Sequence, residues 1–191
     1  MKNKKRIGIL GGTFNPIHGG HLLMAEGVRE RLRLDKVLFV PCALSPLKKP
    51  VNLISARRRL AMVKIAMGDN PAFGVLTVEI KRGGRSYSVD TVSALHKKYK
   101  RGADLFFIIG SDSIAGLAAW KDIHKLMKLC RFIAVSRPGH NLKYPGVEVI
   151  KIPTLPVSST DIRIMVGRGR SIRYLVPEKV RKYILKNKIY R

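Results

Sequence analysis

The stretch RIGILGGTFNPIHGGHLLMAEGVRERLRL, residues 6–34, passes from an apolar run through a loop of glycines and histidines into an amphipathic segment. Arg6 to Leu10 is short, nearly all apolar and stops at Gly11-Gly12, which reads as a buried strand. Between Gly20 and Leu34, Ala25, Val28 and Leu32 fall on one face at helical spacing. A strand, a glycine loop and a helix in that order open a parallel α/β sheet.

The alternation continues downstream. Lys36–Val40, Ala72 to Ile80, Leu105 to Ile109, Arg131 to Val135 and Val147 to Ile152 read as further strands, most of them apolar. Helices are expected from Ser55 through Leu60, Val63 and Met67 to Gly68, and from Ser88 to Tyr99 with Val92, Leu95 and Tyr99 in phase. Two more are expected, from Ser158 onward and from Pro177 to Asn187. Gly83-Gly84 marks a turn. The expected fold is α/β: a Rossmann-like, doubly wound parallel sheet with helices on both faces. Residues 1–191 read as a single domain with 155–191 as a small C-terminal helical part. Such sheets bind ligands at the carboxyl ends of their strands, where the strand order reverses. Gly11 and Gly110 each follow a strand, so their loops should line one crevice.

The chain has 191 residues, 46 % of them hydrophobic, enough for a folded core. Its apolar runs fall far short of the roughly 20 residues that span a bilayer. Met1 to Arg6 is basic, but the run that follows is broken at Gly11-Gly12, unlike a signal peptide. A cytoplasmic protein without a membrane partner is therefore expected. Cys42 and Cys130 lack metal-ligand spacing and make no disulfide framework, so both read as free thiols.

Lys and Arg total 38 against 12 Asp and Glu, a formal net charge of +26. A mononucleotide site takes only about four or five cations at its phosphates, so most of the excess lies elsewhere. RNA, DNA or an anionic membrane surface would match it. However, the cations are spread along the chain and are not interleaved with aromatics as a stacking platform requires. A solvated basic surface is the simpler account. The sequence leaves the oligomeric state, homo-oligomer included, open.

In the first loop, Gly11 and Gly12 would let the backbone turn with its amides facing an anion. Pro16 stiffens the approach to the helix. His18 and His21 lie three apart across Gly19-Gly20, and a helix starting near Gly19 puts His21 in its first turn, in phase with Ala25 and Val28. Two imidazoles and a helix N-terminus would then converge on a phosphate. The spacing is neither G-x-G-x-x-G nor a P-loop, since no Gly-Lys-Ser/Thr follows.

GGTFNPIHGGHL, residues 11–22, resembles the T/H-x-G-H nucleotidyltransferase superfamily, and from Ile7 to Tyr190 the chain is similar to its bacterial nicotinate-nucleotide adenylyltransferases. Gly84-Arg85-Ser86-Tyr87-Ser88-Val89-Asp90-Thr91 resembles that family's G-x-S-Y-T-x-x-T, with Ser88 where Thr is common. Gly110-Ser111-Asp112 with Trp120 downstream resembles its G-x-D and following Trp, and Val157-Ser158-Ser159-Thr160-Asp161-Ile162-Arg163 its I-S-S-T-x-I-R. Where the family carries P-P-H-K/R, this chain reads Ser45-Pro46-Leu47-Lys48: the histidine position holds Leu47, and Lys48 keeps a cation.

The resemblance implies transfer of AMP from ATP to nicotinate mononucleotide, with pyrophosphate leaving, as a step of NAD biosynthesis. It implies His18 and His21 as the catalytic pair, donating to phosphate oxygens. ATP would be held by Gly11, Gly12, Thr13, Phe14, His18, His21, Gly110, Asp112, Ser158, Ser159, Thr160 and Arg163, with Asp112 on the ribose hydroxyls. The mononucleotide would be held by Lys48, Ser86, Tyr87, Ser88 and Trp120, the last stacked on the pyridine ring. The attacking phosphate is already an anion, so positioning and charge stabilisation would suffice without a strong base. Mg²⁺ would arrive with ATP, held by phosphates and water, and no protein metal ligand is assigned.

Pantetheine-phosphate adenylyltransferases share the first motif and a late Ser/Thr helix start. The Ser86-Tyr87-Ser88 segment, Trp120 and the chain length argue against them. A preference for nicotinamide mononucleotide stays open. A reading from another class is an RNA-binding protein on a nucleotide-binding fold, for which residues 163–191 supply ten Lys and Arg against Glu178 alone.

Overall fold

The computed structural model describes residues 4–46, 52–68, 70–100, 102–136 and 143–191. Among them, six strands form one sheet: β1 (Lys5–Gly12), β2 (Lys36–Pro41), β3 (Phe73–Val75), β4 (Ala103–Gly110), β5 (Arg131–Val135) and β6 (Val147–Ile150). Their order is β3-β2-β1-β4-β5-β6, and every neighbouring pair is parallel. The chain winds outward from β1 to β3, crosses to β4, and winds the other way to β6. The reversal lies between β1 and β4, as the doubly wound reading requires.

The helices are α1 (Gly19–Arg31), α2 (Ala56–Met67), α3 (Val78–Arg82), α4 (Ser88–Tyr99), α5 (Ile123–Leu129), α6 (Ser159–Gly167) and α7 (Glu178–Lys186), with a 3-10 segment over Ser111–Ala119. Strand alternation sends side chains to two separate cores. Leu10, Phe39, Phe106, Ile108 and Ile133 face Met24 and Val28 of α1, Met62 and Val63 of α2, Ile162 of α6 and Val180 of α7. Ile7, Ile9, Leu38, Phe107 and Phe132 face Val92 and Leu95 of α4, Leu117 of the 3-10 segment and Leu126 of α5. Both faces are apolar because both are covered, which is why the strands read as continuous apolar runs. Each fully buried aliphatic or aromatic side chain contributes about 1.5–3 kcal/mol.

The run from Ala72 to Ile80 is not one strand. Only Phe73–Val75 pairs with β2, and Val78–Arg82 turns into α3. Helical geometry carries Glu79 inward, where its buried carboxylate accepts from the Thr91 hydroxyl of α4 at 2.6 Å. A strand continuing at the sheet edge would forgo that partner. Gly83 and Gly84 form the expected turn, with φ of +71° and +63°. The 3-10 segment and α5 had no sequence signal. The first is rich in Ala and Ser, and the second spans seven residues, too few to show a period. Among the described residues no helix is long and apolar enough to cross a membrane.

Candidate functional site

The loop between β1 and α1 lies at the carboxyl edge of the sheet, beside the switch point. Its glycines do not turn the chain as expected. Gly11 and Gly12 belong to β1, and neither has positive φ; Phe14 does, at +48°. Gly12 is required for another reason: a Cβ there would lie 3.0 Å from the Phe14 ring. That ring is turned into the core, 2 % exposed, with its edge against His21 at 5.1 Å between centroids. Phe14 therefore backs the imidazole rather than facing a ligand with its side chain.

His18 is the N-cap residue of α1 and His21 its third residue. The backbone N–H of His18 donates to Nδ1 of His21 at 3.2 Å, and the two rings stack with centroids 3.6 Å apart. An accepting Nδ1 carries no proton, so Nε2 is the donor of the His21 ring. A Cβ on Gly20 would meet His18 Nδ1 at 3.1 Å and the Leu155 carbonyl at 3.2 Å, which explains the second glycine before His21. The helix start contributes less than expected through its amides. Gly19 N–H donates to the Leu175 carbonyl at 2.9 Å and His21 N–H to the His18 carbonyl at 3.0 Å.

The α6 N-terminus meets the same loop. Ser159 Oγ donates to the Pro16 carbonyl at 2.8 Å, and Arg163 Nη1 to the Asn15 carbonyl at 2.9 Å. Arg163 Nη2 reaches Thr160 Oγ1 at 3.2 Å. Ser158 caps the helix, accepting from Asp161 N–H at 3.1 Å. Two residues assigned to ATP thus spend a hydrogen bond on the loop backbone, and they bring the α6 amides to its side. Asn15 is anchored further by Tyr190, whose hydroxyl donates to Oδ1 at 2.9 Å, and by its own amide, which donates to the Asn52 carbonyl at 3.0 Å. Burial pushes the Tyr190 hydroxyl pKa up.

On the β2 side, the segment before α4 lies along residues 42–44. Leu44 and Arg85 form a bridge, Ser86 N–H donates to the Leu44 carbonyl at 2.9 Å, and Ala43 N–H donates to Ser86 Oγ at 3.0 Å. Ser86 also hydrogen-bonds Glu79 and is 6 % exposed, so its hydroxyl works on loop structure. Burial raises the Glu79 pKa. Tyr87 is the N-cap residue of α4 and Ser88 its first residue, so a serine side chain does not cap this helix. Tyr87 packs under Lys121, whose Nζ lies 4.6 Å from the ring centroid. Trp120, at the end of the 3-10 segment, is half-buried and edge-on to Phe107 at 5.7 Å. Gly110 ends β4, and Asp112 is exposed in the first turn beyond it. Lys48 and Leu47 lie outside the described residues.

Arg59 was not among the expected site residues. It is 1 % exposed within α2, and its hydrogen bonds go to the carbonyls of Thr13, Cys42, Ala43 and Ile54. Burial lowers its pKa. In sequence it sits in the run Arg57-Arg58-Arg59, and nothing there marks the inward member except its helical phase with Met62 and Val63. Among the described residues no three His, Cys, Asp or Glu cluster as metal ligands.

Comparison with known proteins matches this arrangement. Residues 9–165 match the cytidylyltransferase-like family. A Leifsonia xyli protein named "probable nicotinate-nucleotide adenylyltransferase" is 44 % identical over 100 % of this chain and 96 % of its own. One of the same name from Exiguobacterium sibiricum is 46 % identical over 97 % of this chain and 98 % of its own. The fold matches Plasmodium falciparum nicotinic acid mononucleotide adenylyltransferase complexed with NaAD, with a TM-score of 0.82 at 20 % identity over 97 % of both chains. The chain belongs to the nicotinate-nucleotide adenylyltransferase family of cytidylyltransferase-like proteins.

Proposed function

We propose that this protein transfers AMP from ATP to nicotinate mononucleotide, giving nicotinate adenine dinucleotide and pyrophosphate. One observation carries the reading. The stacked His18–His21 pair and the α6 N-terminus meet on one loop, tied by Ser159 to Pro16 and by Arg163 to Asn15. Two groups of phosphate-binding donors on a shared loop suit a triphosphate better than a single phosphate.

In this reading a phosphate oxygen of the mononucleotide attacks the α-phosphorus of ATP in line. The bond from that phosphorus to the α,β-bridging oxygen breaks, and pyrophosphate leaves with the charge. His21 donates from Nε2 to the phosphate where negative charge develops, and His18 flanks it. Ser159 and Thr160 precede the α6 hydrogen-bond ladder, so their amides address the β- and γ-phosphates. Asp112 accepts from the adenosine ribose. Lys48, Tyr87, Ser88 and Trp120 hold the mononucleotide, while Ser86 shapes the segment that presents Tyr87 and Ser88. Mg²⁺ enters as part of the ATP substrate. The whole chain acts as one cytoplasmic nucleotidyltransferase domain, its 155–191 part closing the triphosphate side.

Pyrophosphate release should be measured with ATP and each of three acceptors: nicotinate mononucleotide, nicotinamide mononucleotide and phosphopantetheine. The acid mononucleotide is expected to give the highest kcat/KM. Faster turnover of either other acceptor would overturn the assignment. Tight RNA binding by a sample that turns over none of the three would favour the nucleic-acid reading.

A further inference from the structure

We propose that Arg59 is a positioning residue for the transfer step, a clamp that holds the ATP loop and the acceptor loop in one fixed register; this rests on the adenylyl-transfer reading above. The two loops leave adjacent parallel strands. Their ladder ends where Cys42 N–H donates to the Gly12 carbonyl at 3.0 Å. Beyond that point, among the described residues, no strand pairing sets their spacing, and Arg59 takes over there. Its Nη1 donates to the Thr13 carbonyl and to the Cys42 carbonyl, each at 2.7 Å, so one nitrogen bridges both loops. Its Nη2 donates to the Ala43 carbonyl at 2.8 Å, and its Nε to the Ile54 carbonyl at 3.2 Å, just before its own helix.

Each anchored residue leads directly to a substrate half-site. Thr13 opens the loop that carries His18 and His21. Ala43 holds Ser86 through its N–H, and Ser86 opens the segment that presents Tyr87 and Ser88. Four of the five guanidinium N–H groups are used on carbonyls in different directions, a geometry that a planar fork supplies and a single ammonium does not. In-line transfer needs the reacting atoms within about 3–3.5 Å of each other, and a misplacement of about 1 Å can cost about 10²-fold in rate. Each half-site keeps its own contacts when the clamp is removed. The loss should therefore appear in kcat rather than in the affinity for either substrate.

The test compares Arg59→Lys and Arg59→Met with the wild type in two ways. The first is steady-state kinetics with ATP and nicotinate mononucleotide. The second is iodoacetamide labelling of the native proteins, read by mass spectrometry at Cys42 and Cys130. Cys42 Sγ lies 3.7 Å from Thr13 Oγ1, between the two loops, and Cys130 is buried at the end of α5. Both variants are expected to lose about 30-fold or more in kcat while each KM stays within about threefold. Cys42 should label about tenfold faster while Cys130 stays protected. Wild-type kcat in either folded variant would overturn the proposal, as would full rescue by lysine, since charge alone would then suffice. Parallel exposure of Cys130 would also overturn it, by showing general unfolding. If the wild type fails to use the mononucleotide, the adenylyl-transfer reading falls. The labelling arm still decides whether Arg59 holds the two loops together.

Discussion

His18 donates its backbone N–H to Nδ1 of His21 at 3.2 Å, and the two imidazoles stack 3.6 Å apart. The contact fixes the tautomer and the direction of the His21 ring, so its Nε2–H is aimed before any substrate arrives. In the proposed mechanism, His21→Ala removes a preorganised donor to the reacting phosphates. The expected result is a fall in kcat of about 10²-fold or more. Circular dichroism should show an unchanged fold, because His21 is only half-buried. A folded variant with wild-type kcat would remove His21 from the mechanism.

Tyr190 tests how the ATP loop is held from the far end of the described chain. Its hydroxyl donates to Asn15 Oδ1, and Asn15 is 4 % exposed. Tyr190→Phe leaves that oxygen without its donor in a buried setting, at a cost of about 1–3 kcal/mol. Urea unfolding should show a lower midpoint with an unchanged slope. The loosened loop should also lower kcat/KM for ATP. An unchanged midpoint would mean that solvent replaces the phenol.

Trp120 tests the acceptor pocket. Phe107 and Phe132 meet the indole in edge contacts, with centroids at 5.7 and 6.3 Å. A pyridine stacked on the indole would be lost in Trp120→Ala. The KM for the mononucleotide should rise about 10-fold, in line with stacking of about 1–3 kcal/mol, with the KM for ATP little changed. Trp120→Phe should fall between. Equal rises in both constants would assign Trp120 to the core.

The central strands β1, β2, β4 and β5 were legible because they are buried on both faces, and such strands announce themselves as apolar runs. The helix at Ser158 was legible because its cap is a serine that in fact caps. The failures share another cause: the residues that bind the site together act through backbone carbonyls. Arg59, Tyr190 and Ser86 all do so, or reach a partner far away in sequence, and neither leaves a local pattern. The Gly12 reading failed in the same way. Its lack of a side chain serves the Phe14 ring two residues on, not a turn of its own backbone. The run from Ala72 to Ile80 read as one strand because the partner that turns Glu79 inward, Thr91, lies in a separate helix further along the chain.

Glu79 gives a pH test of that buried network. Its carboxylate is 6 % exposed, accepts from Thr91 at 2.6 Å, and is raised in pKa chiefly by burial. A raised folded-state value means that the neutral acid favours the fold. That stabilisation is complete below the ordinary carboxylate range and is lost as pH rises through the raised value. Glu79→Gln keeps an oxygen for the Thr91 hydroxyl and cannot ionise. Thermal unfolding of both proteins should therefore diverge as pH rises above the ordinary carboxylate range of about pH 4. At the acid end the two melting temperatures should be close. Toward the alkaline end the glutamine variant should gain relative to the wild type, because only the wild type buries a charge there. A difference that stays constant with pH would mean that Glu79 keeps one protonation state across the range, and a gain at the acid end would reverse the assigned sign.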